Sequence, residues 1–260
     1  MKKTKTAKRK IVRRVLLLVL AAILVFAAVI VGICLLVERP AVQPVAAYQS
    51  TYCDAVISMA DDGGVEILPS SGDADTGLIF YVGAQITPDA YIPLLARIAE
   101  RGYACFVPDL TCNMAALEPA AADDIIAAHP EITSWVLAGH SMGGLTAAGY
   151  ADDHRDTVGG LILIAAYTGC DMHDADLPML SLLGDADGVL NKALYDERLA
   201  WNPADFEEHV IPGANHAQFG DYGKQPRDND AAISAEEQQA RTAEIILDWL
   251  DRHITGGETT

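Results

Sequence analysis

Basic residues are scarce over most of this chain. Of its 260 residues, 18 are Lys or Arg and 36 are Asp or Glu. Nine of those 18 basic residues lie within residues 1–39, which hold a single acid. Residues 40–260 therefore carry nine basic and 35 acidic groups, a formal −26. A surface so poor in cations cannot neutralise a phosphate backbone, which argues against a nucleic-acid partner. Cofactor motifs are missing too. There is no H-E-x-x-H, no P-loop and no dinucleotide glycine fingerprint, so neither a metal nor an organic cofactor is expected. The five cysteines include no C-x-x-C pair, which removes a zinc ribbon or a thioredoxin-like site. Charged residues reach 21% against 51% hydrophobic, a balance that excludes a disordered or fibrous chain. The length suits one α/β domain with a short extra segment.

What is present is unevenly spread. Residues 2–14 contain eight positive charges, and residues 15–37 then contain no charge at all. At about 1.5 Å per helical residue that apolar run spans roughly 35 Å, against a hydrocarbon core of about 30 Å. The pattern predicts a single-pass membrane anchor. Residues 1–14 form a basic cytoplasmic tail, 15–37 a transmembrane helix, 38–50 a linker, and 51–260 a domain outside the cytoplasm. A cleaved signal peptide has an apolar region of only about 7–15 residues, although Val45-Ala46-Ala47 would suit cleavage. An oxidising exterior permits disulfides among Cys53, Cys105, Cys112 and Cys170. Free thiols and a Cys112–Cys170 bridge are both open readings.

Beyond the linker, short apolar runs alternate with helical periodicity. Strands are expected at 55–59 and 65–68, joined as a hairpin through Asp61-Asp62-Gly63-Gly64. Further strands are expected at 77–83, 103–107, 134–138, 158–165, 178–183 and 206–211. Helices are expected at 91–101, 120–128, 144–151, 190–201 and 234–253. Runs such as Leu161-Ile162-Leu163-Ile164-Ala165-Ala166 are apolar throughout, as parallel strands covered on both faces should be. The alternation predicts a doubly wound, mostly parallel α/β sheet.

Three segments carry chemistry. The first is Gly139-His140-Ser141-Met142-Gly143-Gly144, set between a strand and a small-residue helix. A strand-to-helix turn this tight needs glycine flanks and lifts the serine hydroxyl above the sheet edge. The helix N-terminus adds a field that favours negative charge there. Ser141 is the expected nucleophile. The second segment is Gly184-Asp185-Ala186-Asp187-Gly188, directly after a buried strand. An acid here can orient a histidine and stabilise its imidazolium; Asp187 is preferred and Asp185 is the alternative. The third is Gly213-Ala214-Asn215-His216-Ala217, which completes the chain order Ser…Asp…His and makes His216 the expected base. His140 cannot readily turn onto its own neighbour. The backbone N–H groups of Met142 and of Ala84, in the loop after the 77–83 strand, are the expected oxyanion donors.

Together these segments resemble the α/β-hydrolase superfamily, and in particular its compact bacterial branch related to dienelactone hydrolases. The resemblance covers residues 50–254. It rests on Tyr81-Val82-Gly83-Ala84 with Pro88 and Tyr91-Ile92-Pro93-Leu94, on GHSMGG, GDADGVL and NHAQFGDYG, and on EEQQ at 236–239. In that branch the acid closes a G-x-x-D element, which favours Asp187. One departure is Val82-Gly83-Ala84, where relatives more often carry Pro-Gly-Gly. The resemblance implies an α/β-hydrolase fold. Only 12 residues (166–177) are available where many members insert a lid. The polar loop 219–233 either shapes a pocket or is a solvated excursion.

The expected activity is cleavage of a small carboxylic ester through an acyl-enzyme, on the outer side of the cell membrane. A serine peptidase, an acyltransferase and a non-catalytic surface binding module with the same fold are the alternatives, since fold alone does not name a reaction. Oligomeric state is not legible in the sequence.

Overall fold

A computed structural model describes residues 38–60 and 63–256 without interruption, together with 13, 14, 17–21, 24, 25, 29 and 32. The chain divides into two units, Met1–Glu38 and Arg39–Thr260. In the first unit the described residues between 13 and 32 are helical. Most of the expected transmembrane stretch, however, lies outside the described residues. Among the described residues no helix is long and apolar enough to cross a membrane.

The second unit is built on one eight-stranded sheet. Its strands are β1 (Ala55–Met59), β2 (Val65–Pro69), β3 (Thr76–Tyr81), β4 (Ala104–Val107), β5 (Ser134–His140), β6 (Val158–Ile164), β7 (Met179–Gly184) and β8 (Phe206–Ile211). The spatial order is β1-β2-β4-β3-β5-β6-β7-β8. β1 and β2 form an antiparallel hairpin and β2 pairs antiparallel with β4, whereas β4 through β8 are mutually parallel. Asp61 and Asp62, in the hairpin turn, lie outside the described residues. All the parallel strands but β8, which carries Glu207, Glu208 and His209, are apolar runs of the sequence. β3 and β4 are buried along their whole length.

Six helices of the second unit flank the sheet: α1 (Val45–Thr51), α2 (Ile92–Ala99), α3 (Ala121–Ala128), α4 (Met142–Asp153), α5 (Lys192–Arg198) and α6 (Ala235–His253). The strand order reverses at β3. The β3–β4 and β4–β5 crossovers therefore run in opposite directions, and right-handed connections put their helices on opposite faces. The reversal leaves a crevice at the carboxyl ends of the strands, where open α/β sheets bind ligands. Residues 165–178, between β6 and β7, contain no helix or strand. No lid is built there.

Two local readings need correction. Val45–Thr51, expected as linker, is helical because Tyr48 has a place to dock. It is buried, and its hydroxyl donates to Asp221 Oδ2 at 2.6 Å. Cys53, Cys105, Cys112 and Cys170 form no disulfide, which excludes the Cys112–Cys170 bridge. Cys105 is fully buried within β4, and burial alone pushes its thiol far above the ordinary range.

α6 is the long amphipathic helix expected at the C-terminal end. Ser234 caps it, its side chain accepting from the Glu237 N–H at 3.1 Å. Glu236 and Glu237 sit in the first turn, and Arg252 and His253 in the last, as the helix dipole favours. Trp249 and Leu250 are fully buried. Replacing the cap, Ser234→Ala, should lower unfolding stability by about 1 kcal/mol. A urea midpoint identical to wild type would show that this end of the helix is held by packing alone.

Candidate active site

The loops that follow β5, β7 and β8 meet at the carboxyl edge of the sheet, and each brings one of the expected residues. Ser141 stands between β5 and α4 with φ 53° and ψ −120°. A side-chain-bearing residue pays about 1–3 kcal/mol for such a backbone, and it persists only where the surroundings impose it. Here they do. The Ser141 N–H donates to the Ile164 carbonyl at 2.9 Å, and the Gly144 N–H donates to the Ser141 carbonyl at 3.1 Å. A Cβ on Gly139 would lie 2.4 Å from the Gly143 carbonyl carbon, and a Cβ on Gly143 would lie 2.1 Å from the Tyr81 carbonyl oxygen. Only glycine allows these three backbone segments to pack together. The contact also sets the start of α4 against Tyr81 and Val82, next to Gly83 and Ala84.

Asp187 and His216 form a dry pair. His216 Nδ1 lies 2.8 Å from Asp187 Oδ2, with both side chains almost fully buried. The other carboxylate oxygen accepts the backbone N–H groups of Val189 at 2.7 Å and Leu190 at 2.8 Å. Burial alone would push this carboxyl up. The hydrogen bond and charge of His216, with the two N–H donors, outweigh burial and hold it below the ordinary aspartate range. An ionised Asp187 keeps the His216 proton on Nδ1, which leaves a lone pair on Nε2. That Nε2 is buried and has no hydrogen-bond partner among the described residues. Asp185 does different work. It is exposed and accepts the Gly213 N–H at 2.7 Å, tying the β7 loop to the turn after β8.

Ser141 makes no hydrogen bond to His216 in this structure. The link between their loops is His140, whose ring centroid lies 4.6 Å from that of His216. The N–H groups of Met142 and Ala84 donate to no other described residue. Gly83 beside Ala84 donates its N–H to the Tyr91 hydroxyl at 2.9 Å. Among the described residues no group of three or more His, Cys, Asp or Glu could hold a metal ion.

Three contributors were not legible as such in the sequence. Asp228 is the first. Its Oδ1 accepts the N–H groups of Gly188 at 3.0 Å and His216 at 3.3 Å, and its Oδ2 accepts that of Ala217 at 2.8 Å. One carboxylate thus clamps the acid loop to the histidine loop. Loop 219–233 thus acts as a brace, with Phe219 and Tyr222 buried at its base, and it also lines a cavity of about 250 Å³ with Asn215, Ala217 and Gln218. Gln238 of α6 is the second. It accepts the Asn215 N–H at 3.0 Å and donates to the Asn215 carbonyl at 2.7 Å. Its only advance sign was its place in the EEQQ segment. The third is His140, which sequence reasoning set aside.

Removing the clamp, Asp228→Ala, strips a charged acceptor from four backbone donors, the Asn229 N–H at 3.0 Å included. The expected cost is about 3 kcal/mol of unfolding stability. The mutant should also show faster amide exchange in residues 186–190 and 215–218. Unchanged exchange in both loops would mean that Asp228 does not couple them.

The family description "Alpha/beta hydrolase family" matches residues 77–240. Among solved structures, the chain is similar to a predicted CIB-like hydrolase from Thermoplasma acidophilum, with a TM-score of 0.55 at 16% identity. That alignment covers 75% of this chain and 99% of the other. It is also similar to Est1E from Butyrivibrio proteoclasticus, with a TM-score of 0.53 at 16% identity, covering 76% and 99%. No curated protein matches the sequence. The matched residues include β3, the Ser141 turn, the Asp187 loop and the His216 loop, and the chain belongs to the alpha/beta hydrolase family.

Proposed function

We propose that this hydrolase is a serine esterase that cleaves a small carboxylic ester through an acyl-enzyme. The observation that carries the reading is the buried Asp187–His216 pair, its Nε2 without a partner, in the loop beside the strained Ser141 turn. In the reaction, Ser141 Oγ attacks the ester carbonyl carbon and its proton passes to His216 Nε2. The carbonyl oxygen becomes an oxyanion and takes the N–H groups of Met142 and Ala84. Collapse breaks the bond to the leaving alkoxide, which receives the proton from His216. Water then attacks the acyl carbonyl and gives a proton to His216; as the acyl–Oγ bond breaks, His216 returns that proton to Ser141 Oγ and the acid is released. Each oxyanion donor of this kind contributes roughly 3 kcal/mol to lowering the barrier.

An apolar cavity of about 500 Å³ supports an ester as substrate. Met142, Leu145 and Gly149 of α4 line one side, and Pro119 and Ala120 the other. Because Met142 belongs to the Ser141 turn, an acyl chain seated there would keep its carbonyl near the nucleophile. The dienelactone-hydrolase-like branch fits the lidless connection between β6 and β7. For location, the reading keeps the N-terminal anchor with the domain outside the cytoplasm. The support is the basic and apolar pattern of residues 2–37.

Two experiments test this. Residues 40–260 should hydrolyse chromogenic acyl esters in the acetyl-to-octanoyl range, and Ser141→Ala should abolish turnover. Asp187→Asn should lower kcat roughly ten-thousandfold. A wild-type protein that neither turns over any ester nor labels with a fluorophosphonate would overturn the enzyme reading in favour of a binding module. For the anchor, protease added to intact cells expressing the full chain should digest the domain. Complete protection, with digestion only after lysis, would place it inside.

A further inference from the structure

Gly83, Tyr91 and His140 form a buried chain of hydrogen bonds that the esterase mechanism does not use. The Gly83 N–H donates to Tyr91 Oη at 2.9 Å, and Tyr91 Oη lies 2.9 Å from His140 Nδ1. Both side chains are completely buried. The Tyr91 oxygen already accepts from Gly83, so its proton has one acceptor within reach, His140 Nδ1. The His140 proton must then sit on Nε2. Burial, with the neighbouring His216, holds His140 well below the ordinary imidazole range, so the ring is neutral. It lies against His216 without competing for the proton that His216 must carry.

The geometry around Gly83 is close, though less so than at the serine turn. A Cβ there would come within 2.8 Å of His140 Nδ1 and 3.0 Å of the Tyr91 oxygen. The loop that carries Ala84 is therefore drawn onto the Tyr91–His140 pair. Tyr91 is held in turn by its ring, whose centroid is 4.6 Å from that of Phe80 on β3.

We propose that Tyr91 is a positioning residue: its hydroxyl holds the loop presenting the Ala84 N–H and fixes the His140 ring against His216, so that both arrive pre-set for the transition state. This rests on the serine-esterase reading above. The substitution Tyr91→Phe keeps the ring and removes only the hydroxyl. It frees the Gly83 N–H and leaves His140 Nδ1 without its donor. Because the loop binds charge that appears only in the transition state, the effect falls on kcat rather than KM.

The experiment compares wild type and Tyr91→Phe on one chromogenic ester, on fluorophosphonate labelling of Ser141, and on inhibition by a trifluoromethyl ketone. That inhibitor adds to the serine as an oxyanion. The substitution should lower kcat about tenfold and leave KM within about twofold. The inhibition constant should rise by the same factor as kcat falls. A second measurement needs no variant: nitrogen NMR of the wild type should show His140 protonated on Nε2 and bare on Nδ1. A kcat equal to wild type, a ketone affinity unchanged by the substitution, or a protonated Nδ1 would each overturn the role of Tyr91. If only these fail while wild type turns over and labels, the esterase reading stands. If wild type neither turns over nor labels, both fall.

Discussion

The tightest backbone approach among the described glycines governs the site. Gly143, at the first turn of α4, runs so near the end of β3 that a methyl group there would sit almost on the Tyr81 carbonyl oxygen. Gly139, at the end of β5, makes the matching approach to Gly143. These two contacts force the chain through the left-handed backbone at Ser141 and put its hydroxyl above the sheet edge. They also press the start of the helix against the loop that follows β3. A larger residue at either glycine would open the turn.

Around that turn the protein spends its polar contacts on holding loops rather than on its surface. Asp187 is buried but meets three donors, so it stays charged in a dry environment. His216 is pinned through its backbone by Asp228, and its neighbour Asn215 by Gln238. Almost every hydrogen-bonding group near the site is satisfied within the protein. Two buried side-chain nitrogens there without a partner, His216 Nε2 and His140 Nε2, sit on rings 4.6 Å apart. Buried polar atoms without partners are costly. A pair of them on adjoining rings at the sheet's carboxyl edge is better explained by chemistry than by packing.

Most of the architecture was legible because parallel strands buried on both faces must be continuously apolar. β6 lies where such a run predicts it; β8 matches its expected bounds residue for residue, although Glu207, Glu208 and His209 interrupt its apolar character. The misjudged elements depend on distant partners. Residues 45–51 carry no helical signal of their own, and they form a helix because Tyr48 reaches Asp221, far along the chain. The helix after β7 is shorter than its periodicity suggests. α5 ends at Arg198, and residues 199–201 tighten into a 3-10 turn.

Sequence alone determined the order of strands and helices, the serine turn with its glycines, and the acid and histidine loops that follow their strands. Those features are local: glycine spacing, unbroken apolar runs and a residue just past a strand end all act within a few positions. Only the tertiary structure decided which aspartate meets His216, since Asp185 and Asp187 differ in direction and not in composition. It alone revealed Asp228 as the clamp on two loops, and joined Gly83, Tyr91 and His140 into one chain. Those contacts link residues up to 49 positions apart, and no pattern in the intervening residues encodes the distance between them.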